Sequence, residues 1–160
     1  MIQRIQTVYL LLAVILCLSS LFATVGVWTD ATNGTMAAQF GNFALSSPVL
    51  QGVAGPYALG VLLCLVAAID LVAVFLFHFR MRQLRLVIFS QILLVGYVLA
   101  YAFFAWLYGQ KLTLALPTVD FAFRLRLMAV MPVVVFVLNA LAIHGIRKDE
   151  ALIRSLDRLR

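Results

Sequence analysis

Four long stretches of the chain are free, or nearly free, of charged residues. They cover residues 5–28, 57–79, 86–108 and 127–146. Each is long enough to cross a bilayer, which takes about 20 helical residues. Because backbone groups find no water inside a membrane, such stretches must form helices. The pattern therefore predicts one domain, 1–160, with a membrane all-α fold, an antiparallel bundle of four transmembrane helices.

The first stretch shares features with a secretory signal peptide. Arg4 precedes the apolar run, and the small residues Ser19 and Ser20 lie near its end. The run is longer than the apolar region of a signal peptide, which has about 7–15 residues, and no convincing cleavage site follows it. We therefore predict a helix that is retained in the protein.

The composition agrees with a membrane protein. Hydrophobic residues make up 65% of the chain and charged residues 11%, against about 45–50% and about 25% in soluble domains. This excludes a soluble globular domain, a disordered chain and a disulfide scaffold. Cys17 and Cys64 lie within apolar stretches and are expected to pack there rather than to act in redox chemistry.

Basic residues are distributed unevenly among the connecting segments. One side carries nine and the other three, Lys111, Arg124 and Arg126. The positive-inside rule then predicts an inner-membrane protein with both termini in the cytoplasm. Arg124 and Arg126 are expected to pair with Asp120 or with phospholipid head groups. The nine are Arg4, Arg80, Arg82, Arg85, Arg147, Lys148, Arg154, Arg158 and Arg160.

The net charge of +6 is therefore interpreted as a signal for orientation in the membrane and as a source of contacts with anionic lipid, rather than as a sign of nucleic-acid binding. Cytoplasmic contacts with lipid or with a partner are predicted for Arg80, Arg82, Arg85, Arg154 and Arg158. The tail, 147–160, has an amphipathic helical pattern. It is expected either to extend the fourth helix into the cytoplasm or to lie on the membrane surface.

Two longer loops, 29–56 and 109–126, are assigned to the outer side. The second alternates between apolar and polar or small residues over 111–116 and again over 119–124, which is typical of two strands. The first loop is expected to hold one or two short strands within 36–45. Together they predict a small antiparallel sheet on the outer face. The alternative is a pair of mobile loops.

Asp70 is the only acid inside an apolar stretch. A charged group there costs roughly 2.5–3.5 kcal/mol, so Asp70 is expected to face the interior. Asn139 lies at a similar depth and Gln91 slightly nearer the cytoplasm. We predict a buried polar contact among the three. It would serve either as a proton relay or substrate site, or as a structural contact between helices, which is favoured because a relay normally needs several ionisable groups.

Small residues recur at helical spacing on two of the predicted helices. Gly60, Cys64 and Ala68 form one row, and Gly96 and Ala100 form another. Such rows allow close packing between helices. The pattern does not distinguish packing within the chain from packing in a homo-oligomer.

The two ends of the chain resemble a known family. The opening, Met1–Leu10, and the ending, Arg147–Arg160, look like those of an uncharacterised four-span inner-membrane family of Bacteroidetes-type bacteria, a domain of unknown function. The resemblance implies a cytoplasmic-membrane protein. It brings no catalytic residues with it.

The motifs HExxH and GxSxG, a phosphate-binding loop and paired carboxylates are all missing from the sequence, and we expect no enzyme, cofactor or metal. The leading hypothesis is a structural or accessory protein that binds other membrane proteins or lipids. The alternative is a small oligomeric transporter or channel subunit organised around Asp70. The expected partners are the lipid bilayer and a membrane protein or a second copy, not nucleic acid.

Overall fold

The structure is a computed structural model that describes residues 3–50, 52–76 and 79–157, without the side chains of residues 3, 4 and 152–157. Among these residues the chain is mostly helical and carries one small sheet. The helices are α1 (Gln3–Leu21), α2 (Tyr57–Phe75), α3 (Arg80–Ala115) and α4 (Met131–Asp157), with a 3-10 turn at Leu127–Val130. The strands are β1 (Thr24–Asp30), β2 (Met36–Gly41), β3 (Leu45–Ser46) and β4 (Phe121–Leu125).

Three helical segments are long and apolar enough to cross a membrane. They are Tyr57–Phe75, Arg80–Ala115 and Leu127–Ala151. The first helix contributes a shorter apolar segment, Ile5–Leu21. The predicted stretches 86–108 and 127–146 both lie within longer helical segments.

Each helix packs against two others. Helix α1 lies against α2 and α4, and α3 completes the arrangement by packing against α2 and, less extensively, against α4. We call these four helices the helical body. The sheet lies at one end of it, called the sheet end, and the start of α1 lies with the later part of α4 at the far end.

The sheet is antiparallel and has the strand order β3-β2-β1-β4. Strand β1 is central, since Trp28 pairs with Ala38 of β2 on one side and with Phe123 of β4 on the other. The predicted small antiparallel sheet is therefore confirmed, including the strands expected within 36–45.

The predicted first helix, 5–28, is wrong in its last third, because α1 ends at Leu21 and β1 begins at Thr24. The charge-free stretch continues through Trp28, so the absence of charge alone places no boundary there. The end of the run is rich in valine and threonine, which favour strands. Pairing on both sides supplies the backbone hydrogen bonds that a helix would otherwise provide.

The predicted strand at 111–116 is also wrong, because α3 continues to Ala115. Tyr108 and Leu112 are both buried and lie four residues apart, so they share one helical face. That burial outweighs the alternating pattern. The second predicted strand, 119–124, corresponds closely to β4 at Phe121–Leu125.

The chain is helical from Met131 through Asp157 without a break. The predicted tail helix, 147–160, is therefore a continuation of α4 as far as the described residues reach. Residues 158–160 lie outside them.

Aromatic side chains join the sheet to the helical body. Phe40 of β2 is fully buried, with its ring centre 5.3 Å from that of Tyr101 and 5.7 Å from that of Tyr108, both on α3. Trp28 packs 5.7 Å from Phe40 and 4.8 Å from Phe123. Sheet and helices thus share one hydrophobic core.

Candidate functional site

Polar side chains from three helices meet inside the helical body. The side-chain amide of Asn139 on α4 donates to the carboxyl of Asp70 on α2, with a distance of 3.0 Å from Nδ2 to Oδ2. The same nitrogen lies 3.3 Å from the hydroxyl oxygen of Ser90 on α3. All three side chains are fully buried. We call this group the central polar contact.

Two oxygen atoms of the central polar contact have no hydrogen-bond partner among the described residues, Oδ1 of Asp70 and Oδ1 of Asn139. The Asn139 oxygen is a hydrogen-bond acceptor, and both Asp70 oxygens are acceptors when the carboxyl is ionised. A neutral carboxyl instead carries one hydroxyl donor. An acid paired with an amide can thus donate and accept at once, which suits a buried site better than an isolated charge does.

Gln91 does not join the contact predicted for it. It is only partly buried, and its amide makes a long contact of 3.5 Å to the backbone carbonyl of Phe136. Ser90 takes its place because it lies on the same helical face as Val87 and Leu94, both buried. The same two residues lie four and three positions from Gln91, so helical spacing in the sequence alone does not distinguish Ser90 from Gln91.

A second polar group, missed from the sequence, joins the sheet to three helices. The Asn42 amide donates to the carbonyl of Ser20, near the end of α1, at 2.8 Å. Its side-chain oxygen accepts from the Tyr97 hydroxyl of α3 at 2.7 Å. Its backbone carbonyl accepts from the Gly60 amide of α2 at 3.0 Å. Asn42 is 1% exposed, and we call it the Asn42 junction.

The sequence gives only a partial signal for this junction. Gly41-Asn42 is a turn-forming pair between predicted strands, and nothing local indicates that this turn is buried. The role depends on the carbonyls left free at the end of α1, which need donors from elsewhere in the chain.

A third polar contact ties the far end together. The buried Gln6 amide of α1 donates to the carboxylate of Asp149 on α4 at 2.8 Å. It therefore fixes the later part of α4, beyond the predicted span, against the start of α1.

The small residues named from the sequence are not brought together. Gly60 is buried and faces the ring of Phe43, whereas Cys64 and Ala68 are exposed on α2. Gly96 is exposed on α3, and Ala100 packs partly against the core. Three of the five thus lie on the outside of the helical body.

The basic residues Arg80, Arg82 and Arg85 form the first turns of α3. Arg82 and Arg85 are exposed, and the Arg82 guanidinium lies 5.0 Å from the centre of the Phe79 ring. The side chain of Arg154 and the whole of Arg158 lie outside the described part of the chain.

The polar groups are suited to hydrogen bonding between helices. Within residues 3–50, 52–76 and 79–157, no three His, Cys, Asp or Glu side chains are grouped so that they could hold a metal ion. The central polar contact combines one carboxyl, one amide and one hydroxyl.

Gly60→Ala and Gly96→Ala test the packing of the Phe43 ring against Gly60 of α2. A methyl group on Gly60 would overlap the Phe43 ring, whereas one on Gly96 meets nothing within 4 Å. We expect Gly60→Ala to lower stability by about 1–3 kcal/mol through overpacking. Gly96→Ala should be neutral or stabilising by up to about 1 kcal/mol. Thermal unfolding of the purified chain in mild detergent measures both, and equal midpoints would contradict the packing of Phe43 on α2.

Asn42→Ala tests the Asn42 junction. We expect a loss of about 1–3 kcal/mol, because the buried Tyr97 hydroxyl and Ser20 carbonyl lose their partner. Asn33→Ala is the matched control, since Asn33 lies in the exposed turn between β1 and β2 and should change stability by less than about 0.5 kcal/mol. Unfolding midpoints compared under one detergent condition decide the question. Similar effects at both positions would show that the junction is unimportant.

Comparison with known proteins gives one result. A family model described as a domain of unknown function, DUF4293, matches residues 2–159. No curated protein gives a significant match. The expected resemblance to an uncharacterised family is thus confirmed, whereas the bacterial group and the four spans remain expectations. Because the match covers nearly the whole sequence, the chain belongs to the DUF4293 family.

Proposed function

We propose that the protein spans the inner membrane four times, with α1 as the fourth span. Helix α1 has 19 residues, which at about 1.5 Å per residue gives nearly 30 Å, close to the hydrocarbon thickness of a bilayer. Its large apolar side chains Val8, Leu11 and Ile15 are exposed. Water would disfavour this surface, whereas lipid would not.

The proposed topology places both termini and the α2–α3 connection in the cytoplasm. The far end then carries Arg80, Arg82 and Arg85 together with the basic tail, in line with the positive-inside rule. The sheet lies on the outer side. The two long helices α3 and α4 extend beyond the bilayer, α4 on the cytoplasmic side.

Within the membrane, the proposed function is that of a structural or accessory protein that binds other membrane proteins or lipids. The observation that carries the proposal is the exposure of Cys64 and Ala68 on α2 and of Gly96 on α3. Small residues on apolar helix faces allow a further helix to approach closely. The edge strand β4 offers a second surface, since its free side can pair with an added strand.

The proposed function is non-enzymatic, because the buried polar side chains form hydrogen bonds between helices. A channel or transporter organised around Asp70, the alternative function, has less support. Asp70 is completely buried and bonded to Asn139, whereas transport would require access to this carboxyl from water. A membrane-protein partner or a second copy of this chain is the expected occupant of the small-residue surface.

Site-specific crosslinking in native membranes tests this function. A photo-reactive residue at Ala68 or Gly96 should give a discrete crosslinked product, because a partner helix can approach these positions closely. The same probe at the exposed Phe103 of α3 is the control and should give little product. Mass spectrometry of the product identifies the partner.

The tryptophan variants Ala68→Trp and Gly96→Trp provide the complementary measurement. Each fills the approach surface from the outside and should abolish co-purification of the partner while leaving the unfolding midpoint of the chain unchanged. If the probe at all three positions reacts only with lipid, the proposed binding of another membrane protein is contradicted. Recovery of the chain from alkaline-washed membranes separately tests the membrane location.

A further inference from the structure

The apolar interior of the helical body is interrupted at the level of the central polar contact. Its buried apolar residues form two separate clusters, one that continues into the core shared with the sheet and one nearer the far end. Each polar side chain of the contact lies between the two clusters on its own helix, three or four positions from a buried member of each. Because residues at this spacing share one helical face, the contact is enclosed by apolar groups on both sides. The flanking members are Ala67 and Ala73 on α2, Leu94 and Val87 on α3, and Val135 and Ala142 on α4.

The hydrogen bonds among the described residues leave three groups of the central polar contact unused. The Asn139 amide has two hydrogens, and its nitrogen lies within hydrogen-bonding distance of Asp70 Oδ2 and Ser90 Oγ, so one hydrogen is available for each. Oδ1 of Asp70 and Oδ1 of Asn139 then remain as buried oxygens without a donor among the described residues. The Ser90 hydroxyl accepts from Asn139 and still carries a hydrogen of its own. Two acceptors and one donor therefore face an apolar enclosure, where each is costly to leave unpaired.

The unused groups fit a water molecule. Buried waters typically make about three hydrogen bonds to polar groups that would otherwise be unsatisfied, and one water can donate to both Oδ1 atoms while it accepts from the Ser90 hydroxyl. If the Asp70 carboxyl is neutral, the water accepts its hydrogen instead, so the fit holds in either protonation state. A metal cation accepts no hydrogen bond and would leave the Ser90 hydrogen unpaired. Water is therefore the guest whose donors and acceptors match the site.

We propose that the central polar contact encloses one water molecule bound to Asp70 Oδ1, Asn139 Oδ1 and Ser90 Oγ. Half of the flanking apolar residues are alanine, which leaves more room beside the polar side chains than larger residues would. The two apolar clusters close the site towards both ends of the helical body. The water therefore leaves only when the helices separate, and it stays bound far longer than the water that hydrates exposed side chains.

The bound water completes a network that joins α2, α3 and α4. A buried polar network with all its members satisfied rigidifies a protein, whereas a partly satisfied one destabilises it. The water also links Asp70 to Ser90, which are otherwise connected only through the Asn139 amide. The site goes beyond the proposed function, because it requires neither a partner protein nor lipid. It can therefore be tested on the purified chain.

Water-selective NMR on the full chain in mild detergent tests the site. The sequence contains three asparagines, Asn33, Asn42 and Asn139. Asparagine-selective nitrogen-15 labelling therefore gives three side-chain amide signals, which the variants Asn33→Ala and Asn42→Ala assign. We expect magnetisation transfer through space from a long-lived water to the Asn139 amide hydrogens. The exposed turn residue Asn33 is the internal control and should show only short-lived hydration water.

Variants at Asp70 and Ser90 connect the water signal to the site. Asp70→Leu removes both carboxyl oxygens and should abolish the signal at Asn139, whereas Asp70→Asn, which retains an acceptor oxygen, should keep it. Ser90→Ala removes the hydroxyl and should weaken the signal. Ser19→Ala is its matched control and should leave the signal unchanged, because the exposed Ser19 hydroxyl donates to a carbonyl of its own helix. If the unfolding midpoint shows that Asp70→Leu does not fold, Ser90→Ala and Asp70→Asn decide the question.

The water site would be overturned by the absence of a long-lived signal at Asn139, or by a short-lived signal like that of Asn33. A signal undiminished in Ser90→Ala or in folded Asp70→Leu, or lost in Asp70→Asn, would also contradict it. So would an Asn139 amide shift that appears in sodium chloride but not in choline chloride, because that shift indicates a bound cation in place of water. None of these results affects the membrane location or the binding of a partner, which are tested by alkaline-washed membranes and by crosslinking.

Discussion

Asp70, Asn139 and Ser90 meet where three helices enclose an otherwise apolar interior. A polar group buried there can find hydrogen-bond partners only within the protein, because neither bulk water nor, in the proposed location, lipid supplies them. This requirement fixes the helices relative to one another: Asp70 can reach Asn139 only if α2 and α4 face each other at that depth. Apolar packing alone would tolerate rotation or sliding of such helices more readily, since lipid is as apolar as their side chains.

The same requirement explains how a sheet can be attached to the helical body. Helix α1 ends at the carbonyls of Ser20 and Leu21, and the Asn42 amide donates to both. Asn42 also binds Tyr97, so one loop residue links the sheet to α1 and α3. The sheet therefore shares the core of the helices. It also supplies Val25 and Leu125 to the wall of a groove between α3 and α4.

The sequence predicts those features that depend on composition and short-range pattern. Long apolar stretches indicate the helices, and the isolated Asp70 indicates a buried contact with Asn139. Features that depend on distant residues are not predictable in this way. Strand β1 lies within an apolar run and becomes a strand by pairing with β2 and β4. Asn42 is an ordinary turn residue until it is buried, and Ser90 differs from Gln91 only in the face it presents.

The central claim is that Asp70 acts as a hydrogen-bonding partner of Asn139 rather than as a charge carrier. A double-mutant cycle measures it most directly, by the unfolding midpoints of Asp70→Leu, Asn139→Leu and the double variant, with Asp70→Asn as the conservative control. We predict that each leucine variant loses about 1–3 kcal/mol, that the double variant is no worse than either, and that Asp70→Asn is nearly neutral. Additive losses in the double variant, or an Asp70→Asn variant as unstable as Asp70→Leu, would contradict the account.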